Sequence, residues 1–434
     1  MKETKKYAFI NGIMLDGTEN MSPEKGRVIL TDGERIEAVK AAGTDISGYE
    51  PIDLKGQYIM PGLINMHVHL AGNGKPQKKQ RDNTALVNRM FSNPVTPKIF
   101  HMLVRQYARI ELMSGVTTIR TVGGLRDLDS RVRDEIYSGK QIGPRILTSN
   151  EGISVPGGHM AGSVAAIAKN TDEAVQLVQK GKRQGVDFIK LMITGGVMDA
   201  KKKGVPGELK MPPEMIRAAC DEAHRNGYIV AAHVESTEGL LAALENGVDS
   251  IEHGARPTEE IIELFKKKHA FVTTTISPAL PYALFDRSVS NASEAEQYNG
   301  RIVFDGIVEC SKAALANGIP VALGNDVGCP WISQYDFWRE IVNFRKYVGV
   351  SQKFALYTAT LRNAQLAGLG DVTGSIEPGK SADMIVCREN PLEDLQALRN
   401  VNLVMARGRL ISNPKVRRKQ ILDRELDKFL DTES

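Results

Sequence analysis

Two histidines, in His67-Val68-His69, stand at the end of the apolar run that begins at Tyr58. Because successive side chains of a strand point to opposite faces, His67 and His69 share a face and can both reach one metal ion. Paired polar residues at a strand end are also often simply exposed to solvent. The pair alone therefore leaves two interpretations open, a metal site and an exposed strand end.

One lysine, Lys190, lies within the apolar run from Asp187 to Ile193. A charged ammonium group is costly to bury without a partner. One explanation is that the side chain reaches solvent from the strand end or pairs with a carboxylate. The other is that carbon dioxide carbamylates Lys190, which replaces the cation with an anionic, carboxylate-like group able to bridge two metal ions.

Three further polar residues, His233, His253 and Asp326, close the short apolar runs IVAAHVE, SIEHG and PVALGND. A carboxylate at Asp326 can bind a metal ion and also accept a proton from bound water. Each residue alone is explained as a polar strand end. Together with the His67 pair and Lys190, they make six candidate ligands at matching ends of predicted strands, and this pattern favours a metal centre.

A barrel is the scaffold that the rest of the sequence predicts for these residues. Short apolar runs alternate with amphipathic segments, such as the helical pattern Pro212–Arg225, which is the rhythm of βα units. Eight strands with helices between them fit a closed (β/α)8 TIM barrel, whose catalytic groups lie at the C-terminal ends of the strands. The predicted strands are Tyr58–His67, Val116–Val122, Pro144–Thr148, Phe188–Ile193, Tyr228–Val234, Asp249–Glu252, Ala270–Thr275 and Ile319–Leu323.

The two ends of the chain have a different pattern, with strand alternation and turn residues in 6–57 and 373–412. Neither piece is long enough to bury much surface alone. We therefore predict one small β-sandwich-like domain from residues 1–60 and 372–434, and a barrel domain from residues 61–371. The longest irregular stretch lies within 276–300, and a loop of that length is often a lid.

Composition narrows the class of protein. A net charge of +4 over 434 residues gives no reason to expect a nucleic-acid partner. The four cysteines include no C-x-x-C pair, so neither a disulfide framework nor a thiolate zinc site is indicated. No signal peptide or membrane-spanning stretch is recognisable. We expect a cytoplasmic protein without a membrane partner, and a homo-oligomer is compatible with the sequence.

The sequence resembles the amidohydrolase superfamily across essentially the whole chain. The resemblance lies in the ligand-bearing segments PGLINMHVHL, FIKLMITGG, AAHVES, IEHG and ALGNDVG and in the late segment GSIEPGKSADMIV. The resemblance implies a (β/α)8 barrel with a split β-domain and two divalent metal ions, usually Zn²⁺. It implies that His67, His69 and Asp326 hold the more buried ion and that His233 and His253 hold the other. Carbamylated Lys190 would bridge the two ions together with a hydroxide.

Within the superfamily, the chain is most similar to the imidazolonepropionase-related branch, which includes Xaa-Pro dipeptidases and metal-dependent carboxypeptidases. Gly157-Gly158-His159-Met160 resembles the G-G-H-G element of that branch, which implies that His159 contacts the scissile carbonyl. Two features depart from the pattern. Met160 replaces the last glycine of the element, and Glu235 stands where the dipeptidases often have an aromatic residue or a histidine.

The function that this resemblance implies is hydrolysis of an amide or peptide C–N bond, most consistent with a small dipeptide or N-acyl amino acid such as Xaa-Pro. Asp326 would move the proton and His159 would polarise the carbonyl. We further expect a free carboxylate on the substrate, because the first barrel loop contains four cations, Lys75, Lys78, Lys79 and Arg81. Arg81 is the best suited of these, since its planar fork matches a carboxylate.

Two alternatives remain open. One is a cyclic amide or imidazolone hydrolase, or a mononuclear deaminase, of the same superfamily. Such deaminases typically have a glutamate three residues after the fifth-strand histidine and lack the bridging lysine, whereas this chain has Ser236 and Lys190 at those positions. The other is a non-catalytic binding protein that keeps the fold, and the six filled ligand positions disfavour it. The remaining histidines, His101, His224 and His269, fit packing or helix-capping roles.

Overall fold

The computed structural model describes residues 5–76, 83–200 and 202–430. Its strands are β1 (Lys6–Met14), β2 (Glu24–Asp32), β3 (Arg35–Ala41), β4 (Glu50–Asp53), β5 (Tyr58–Pro61), β6 (Leu63–Val68), β7 (Val116–Thr121), β8 (Arg145–Thr148), β9 (Gly152–Ser154), β10 (Ala165–Ile167), β11 (Ile189–Met192), β12 (Val230–Val234), β13 (Ser250–His253), β14 (Phe271–Thr274), β15 (Val321–Leu323), β16 (Met384–Cys387), β17 (Leu403–Ala406) and β18 (Arg409–Ser412).

The α-helices are α1 (Asn83–Met90), α2 (Thr96–Met113), α3 (Leu128–Tyr137), α4 (Thr171–Arg183), α5 (Pro213–Arg225), α6 (Thr237–Glu245), α7 (Glu259–Lys268), α8 (Ile276–Leu284), α9 (Arg287–Ser290), α10 (Glu294–Ala316), α11 (Phe337–Asn343), α12 (Gln352–Tyr357), α13 (Asn363–Leu366) and α14 (Gln420–Leu426). π-Helical turns cover Phe344–Val348 and Thr358–Arg362, and 3₁₀ turns cover Leu395–Arg399 and Asp427–Phe429. None of the helices in the described ranges is long and apolar enough to cross a membrane.

Eight parallel strands form the predicted barrel. One ladder joins β6, β7 and β8, and a second joins β11 through β15 in chain order, with β9 and β10 at its edge. The first and last barrel strands meet where the His69 N–H donates to the Val327 carbonyl at 2.9 Å. The two ladders meet where the Asp187 N–H donates to the Thr148 carbonyl at 2.8 Å. The (β/α)8 fold is thus confirmed, with strand ends that differ slightly from the predicted ones.

The predicted strand Tyr58–His67 is wrong as a single element, because it divides at Gly62 into β5 and β6. β5 pairs with β1 and β16, whereas β6 pairs with β7 inside the barrel. Gly62 lies so close to β7 that a Cβ atom there would come within 2.1 Å of Thr117 Oγ1. The chain therefore passes from one sheet to the other at a position where only glycine fits.

Strands from both ends of the chain share one eight-stranded sheet, in the order β18-β17-β16-β5-β1-β2-β3 with β4 beside β1. Its core includes Phe9 and Ile29 from the N-terminal part and Met384 and Met405 from the C-terminal part. The composite β-domain is therefore present, while its exact bounds stay a prediction. Helix α14 contacts the barrel instead, through Leu422, which is buried in the same hydrophobic cluster as the barrel strands.

The expectation of a long irregular loop within 276–300 is wrong, since this stretch folds into α8, α9 and the beginning of α10. Helix α8 begins because the Glu340 carboxylate accepts the N–H groups of Ile276 and Ser277, each at 2.7 Å. Helix α10 begins with a capping box between Ser293 and Glu296. The first of these caps comes from a residue remote in sequence.

Candidate active site

One cavity at the C-terminal ends of the barrel strands collects every predicted site residue. Its volume is about 680 Å³ including its open mouth. It is lined by the six predicted ligands and the predicted carbonyl contact, namely His67, His69, Lys190, His233, His253, Asp326 and His159. Helix α8 contributes Pro278, Ala279 and Tyr282 to the wall. The stretch that was expected to be a lid loop is therefore a helical wall of this cavity.

The first group in the cavity consists of His67, His69 and Asp326. The Nε2 atoms of His67 and His69 lie 3.5 and 3.3 Å from Asp326 Oδ1. This oxygen is buried and accepts no hydrogen bond from the described residues. Asp326 has a φ of 53°, a left-handed conformation that is costly for a residue with a Cβ atom. The fold thus holds the carboxylate against both rings at the expense of backbone strain.

Hydrogen bonds to the other ring nitrogen set the tautomer of this histidine pair. His67 Nδ1 donates to Glu252 Oε2 at 2.7 Å, and His69 Nδ1 donates to the Gly123 carbonyl at 2.7 Å. Since both acceptors lack a proton to give, the ring proton is on Nδ1 and the Nε2 lone pair faces Asp326. Two lone pairs and a carboxylate oxygen repel one another unless a cation lies between them. The arrangement suits a divalent metal ion.

The second group is His233 and His253, whose ring centroids are 4.7 Å apart. His253 Nδ1 is hydrogen-bonded to Thr275 Oγ1 at 2.6 Å, which leaves Nε2 for a ligand role. In His233 the two ring nitrogens have the opposite roles. Its Nε2 donates to the Gly195 carbonyl at 3.2 Å, so Nδ1 is the nitrogen available for a ligand role. His253 also has a left-handed φ, of 70°.

Burial sets the protonation of the candidate ligands. It lowers the pKa of His67, His233 and His253 well below the ordinary value, so these rings are neutral, as metal ligation requires. It also lowers the pKa of Lys190 to about 8, with the Glu252 carboxylate opposing the shift. Lys190 is only 1% exposed, so the interpretation that its side chain reaches solvent is wrong. A lowered pKa increases the fraction of neutral amine, the form that reacts with carbon dioxide.

Sequence reasoning missed the buried ion pair between Arg120 and Glu252. Arg120 Nη2 donates to Glu252 Oε1 at 2.6 Å, and Arg120 Nε donates to the Met66 carbonyl at 2.8 Å. The Ser250 hydroxyl donates to the same carboxylate oxygen at 2.6 Å. Arg120, like Lys190, is a charged residue inside a predicted barrel strand, although its strand also contains three threonines, so the criterion applied to the lysine could have identified it.

A second missed residue, Asp199, orients His159. The Nδ1 atom of His159 donates to Asp199 Oδ2 at 2.5 Å, and its ring stacks on His233 with centroids 4.0 Å apart. The His159 Nε2 atom is then left for a substrate oxygen. Asp199 lies in the loop after β11, where sequence alone gives no reason to prefer one acidic residue over another.

Glu235, which the sequence marked only as a departure from the dipeptidase pattern, brings an additional carboxylate into the cavity. One of its oxygens, one nitrogen of His233 and one of His253 all lie within 4.8 Å of one another. The Oε2 atom is buried and has no hydrogen-bond partner among the described residues. Burial, together with the nearby carboxylates of Asp326 and Asp199, raises the pKa of Glu235 to about 8. Strand alternation from His233 could have placed it on the same face.

The other sequence predictions have mixed outcomes. His101 lies in α2 beside Glu135, and His224 lies in the last turn of α5, 2.8 Å from Asp249. His269 ends α7 in a left-handed conformation, so all three have the expected helical or capping positions. Lys75 is exposed. The other three cations predicted for the first barrel loop, Lys78, Lys79 and Arg81, lie outside the described residues.

Comparisons with known proteins identify the family of this chain. The model of the amidohydrolase family matches residues 58–411. A solved structure from Bifidobacterium longum, provisionally assigned as a prolidase, is 33% identical, with a TM-score of 0.85 over 98% of both chains. A Xaa-Pro dipeptidase crystallised with methionine in its active site is 28% identical, with a TM-score of 0.81 over 94% of this chain and 100% of that one.

Among curated proteins, the ochratoxinase of Aspergillus niger is 26% identical over 395 residues, which is 82% of this chain and 76% of that protein. The family model covers far more than half of the sequence, and the two solved structures match this fold over nearly the whole chain. The chain is a hydrolase of the amidohydrolase superfamily, and it belongs to the amidohydrolase family.

Proposed function

We propose that this protein is a binuclear metal-dependent hydrolase of C–N bonds in small peptides or N-acyl amino acids. The observation that supports the proposal best is the orientation of the ring nitrogens. His67 and His69 turn unprotonated nitrogens toward an unpartnered oxygen of Asp326, an arrangement that a cation stabilises. A binding protein that had lost catalysis has no need for this donor set.

The chain offers ligands for two divalent ions, most suitably Zn²⁺, because imidazole nitrogens and a carboxylate are ligands that zinc prefers. His67, His69 and Asp326 would hold one ion, and His233 and His253 the other. Carbamylated Lys190 would provide the shared carboxylate between them. When bound, two such ions lower the pKa of water toward neutrality and stabilise negative charge on a carbonyl oxygen.

Side chains of the cavity carry out proton transfer and polarisation of the carbonyl group. The Asp326 carboxylate accepts the proton of the attacking water and returns it to the leaving nitrogen. His159 Nε2 can donate to the carbonyl oxygen when both ring nitrogens carry a proton, and the Asp199 carboxylate, which accepts from Nδ1, stabilises that cationic ring as negative charge develops on the oxygen. The wall formed by α8 excludes bulk water on one side of the cavity.

The proposed substrate class is a dipeptide such as Xaa-Pro or an N-acyl amino acid. The solved Xaa-Pro dipeptidase supports this class, since it shares 28% identity over 94% of this chain. A free carboxylate on the substrate, bound by Arg81 or one of the neighbouring lysines, remains part of the proposal. Comparing free-acid and amidated forms of one substrate, in the natural protein and in Arg81→Ala, tests that part separately.

Metal analysis combined with a substrate screen tests the function. Protein produced with zinc and bicarbonate is expected to contain close to two metal ions per chain and to hydrolyse members of a panel of dipeptides, N-acyl amino acids and cyclic amides. Asp326→Asn should abolish turnover, since an amide cannot accept the proton, and Lys190→Ala should reduce the metal content. One ion per chain with full activity would contradict the proposal and favour a mononuclear deaminase.

A further inference from the structure

One carboxylate in the cavity, that of Glu235, has no place in the proposed reaction. Its Oε2 atom is buried and receives no hydrogen bond from the described residues. Leaving a buried acceptor unsatisfied costs free energy, and native proteins rarely retain such atoms without a reason. A group that enters the cavity with N–H donors would remove that cost.

The position of Glu235 is fixed close to the reacting centre. Its backbone N–H donates to Thr194 Oγ1 at 3.0 Å. A Cβ atom on Gly196 would lie 3.3 Å from Glu235 Oε2 and 3.3 Å from His159 Cε1, so the carboxylate and the ring of His159 border the same small space. Since His159 is assigned to the substrate carbonyl, Oε2 adjoins the atoms next to that carbonyl.

The geometry of an amino acid identifies the group that would fill this space. The α-nitrogen lies only about 2.5 Å from the carbonyl carbon of the same residue, as bond lengths and the angle at Cα require. When His159 contacts the carbonyl oxygen, the α-nitrogen is therefore within reach of the neighbouring carboxylate. A free α-ammonium group brings three donors and a positive charge, whereas an acylated nitrogen brings one donor and no charge.

The charges of the side chains that line the cavity also favour a free ammonium group over an acylated nitrogen. Among the described residues that line it, Glu235 and Asp326 carry carboxylates, and Lys190 is the cation. Carbamylation of Lys190 would convert that cation into an anion, and together with Asp326 and a hydroxide it would offset most of the charge of the two proposed metal ions. An ammonium group beside Oε2 favours the ionised form of the Glu235 carboxyl group, so a charge-assisted hydrogen bond forms between the two, while an anionic substituent at the same point would not be stabilised.

We propose that Glu235 binds the α-ammonium group of the substrate residue whose carbonyl is attacked, and so restricts the enzyme to dipeptides with a free N-terminus. This inference rests on the proposed function and chooses between its two substrate classes, because an N-acyl amino acid lacks the ammonium group. Glu235 is thus assigned as a specificity-determining residue.

A matched pair of substrates, alanyl-proline and N-acetyl-alanyl-proline, tests the assignment kinetically. The zinc-loaded natural protein should prefer the unblocked dipeptide in kcat/KM by at least ~30-fold, the size expected for losing one partner of a buried charge pair. Glu235→Gln should bring the ratio close to one by slowing the unblocked substrate. Glu238→Gln, a change of an exposed residue in the first turn of α6, is the matched control and should keep the preference.

Two further measurements make the outcomes distinct. Metal content should stay the same in Glu235→Gln, and a loss of one ion would show that Glu235 is a metal ligand and overturn the assignment. Calorimetric binding of both compounds to the zinc-loaded Asp326→Asn protein, with and without Glu235→Gln, measures the preference without turnover. Equal binding of the two compounds overturns the assignment even where hydrolysis occurs, whereas selective binding without any hydrolysis by the natural protein supports it and contradicts the proposed function.

Discussion

At the scale of single residues, the groups that do not touch a metal ion determine what the candidate ligands can do. The Glu252 carboxylate lies between His67 Nδ1, at 2.7 Å, and Arg120 Nη2, at 2.6 Å. It fixes the tautomer of the ring on one side and balances a buried guanidinium on the other. His67 can therefore be a neutral ligand, because the Glu252 carboxylate that accepts its Nδ1 proton is itself paired with Arg120.

Replacing Glu252 by glutamine should weaken both its hold on the His67 tautomer and its compensation of the Arg120 charge. We expect metal affinity to fall by roughly 10- to 100-fold, the usual result of losing a partner of a ligating histidine. Unfolding free energy should fall by about 3 kcal/mol, because Arg120 is left buried without a counter-charge. Competition with a zinc chelator and thermal unfolding measure the two effects. The double variant Arg120→Met with Glu252→Gln should recover part of the stability, and no recovery would contradict the ion-pair explanation.

A different buried carboxylate, Glu111, predicts how stability depends on pH. Glu111 is fully buried in α2, and burial raises the pKa of its carboxyl group well above the ordinary value. In the unfolded chain the group ionises near pH ~4.3, so above that pH the unfolded state loses a proton that the folded state keeps. The stability contribution of this group therefore falls as pH rises, by up to about 1.4 kcal/mol per pH unit, until the folded pKa is reached.

Glutamine at position 111 cannot ionise, so Glu111→Gln should gain stability relative to the natural protein as pH rises from 4.5 to 8. Thermal unfolding midpoints of both proteins at several pH values measure the difference. Glu389→Gln, which changes an exposed carboxylate, is the control. Parallel pH profiles of the natural protein and Glu111→Gln would show that Glu111 is not the group responsible.

At the scale of elements, helix α8 links the outer part of the barrel to the cavity. Its first two N–H groups donate to Glu340, a fully buried residue of α11, and its later residues Ala279 and Tyr282 line the cavity. Burial raises the pKa of Glu340 to about 7, and the hydrogen bonds from Ser277 and Ile276 oppose that shift. The position of the cavity wall thus depends on one remote side chain.

Glu340→Ala removes both of these hydrogen bonds. We expect a loss of about 2–4 kcal/mol in stability and faster hydrogen exchange in 276–284, together with a higher KM, because α8 would lose its fixed start. Hydrogen exchange read by mass spectrometry and steady-state kinetics test this. Glu309→Ala breaks the surface pair with Arg256 and should change little. Unchanged exchange in α8 would contradict the capping role.

At the scale of the whole molecule, the proposed ligands come from five strands that lie on opposite sides of the barrel. β6, β11, β12 and β13 contribute His67, Lys190, His233 and His253, and Asp326 follows β15. Only the folded barrel brings these groups together, so ions that bind them stabilise the folded state against the unfolded chain.

Removing the metal ions with a chelator should therefore lower the unfolding temperature. At a free ion concentration of 100 times the dissociation constant, one site contributes about 2.7 kcal/mol, which corresponds to a shift of roughly 3 °C for a chain of 434 residues. Differential scanning calorimetry before and after chelation measures it, and excess zinc should restore the original value. An unfolding temperature that does not respond to chelation or to zinc would contradict a folded-state metal centre.

Local sequence patterns were sufficient to predict most of the barrel strands and most of the candidate ligands. Apolar runs alternating with amphipathic segments predicted seven of the barrel strands closely, because a strand buried on both faces needs apolar residues at every position. Polar residues at the ends of those runs predicted which side chains meet, since the C-terminal ends of parallel strands lie at one edge of a barrel. Lys190 was noticeable for the same reason, as a charge in an apolar run.

Only the tertiary structure decided the features that depend on residues distant in the chain. The split of 58–67 at Gly62 follows from contact with Thr117, and the start of α8 follows from Glu340. Asp326 and His253 reach the cavity in left-handed conformations, which strand alternation cannot predict. A periodic pattern records which face of an element is buried, but packing between remote elements determines where that element begins, how it is capped and which nitrogen of a histidine remains free.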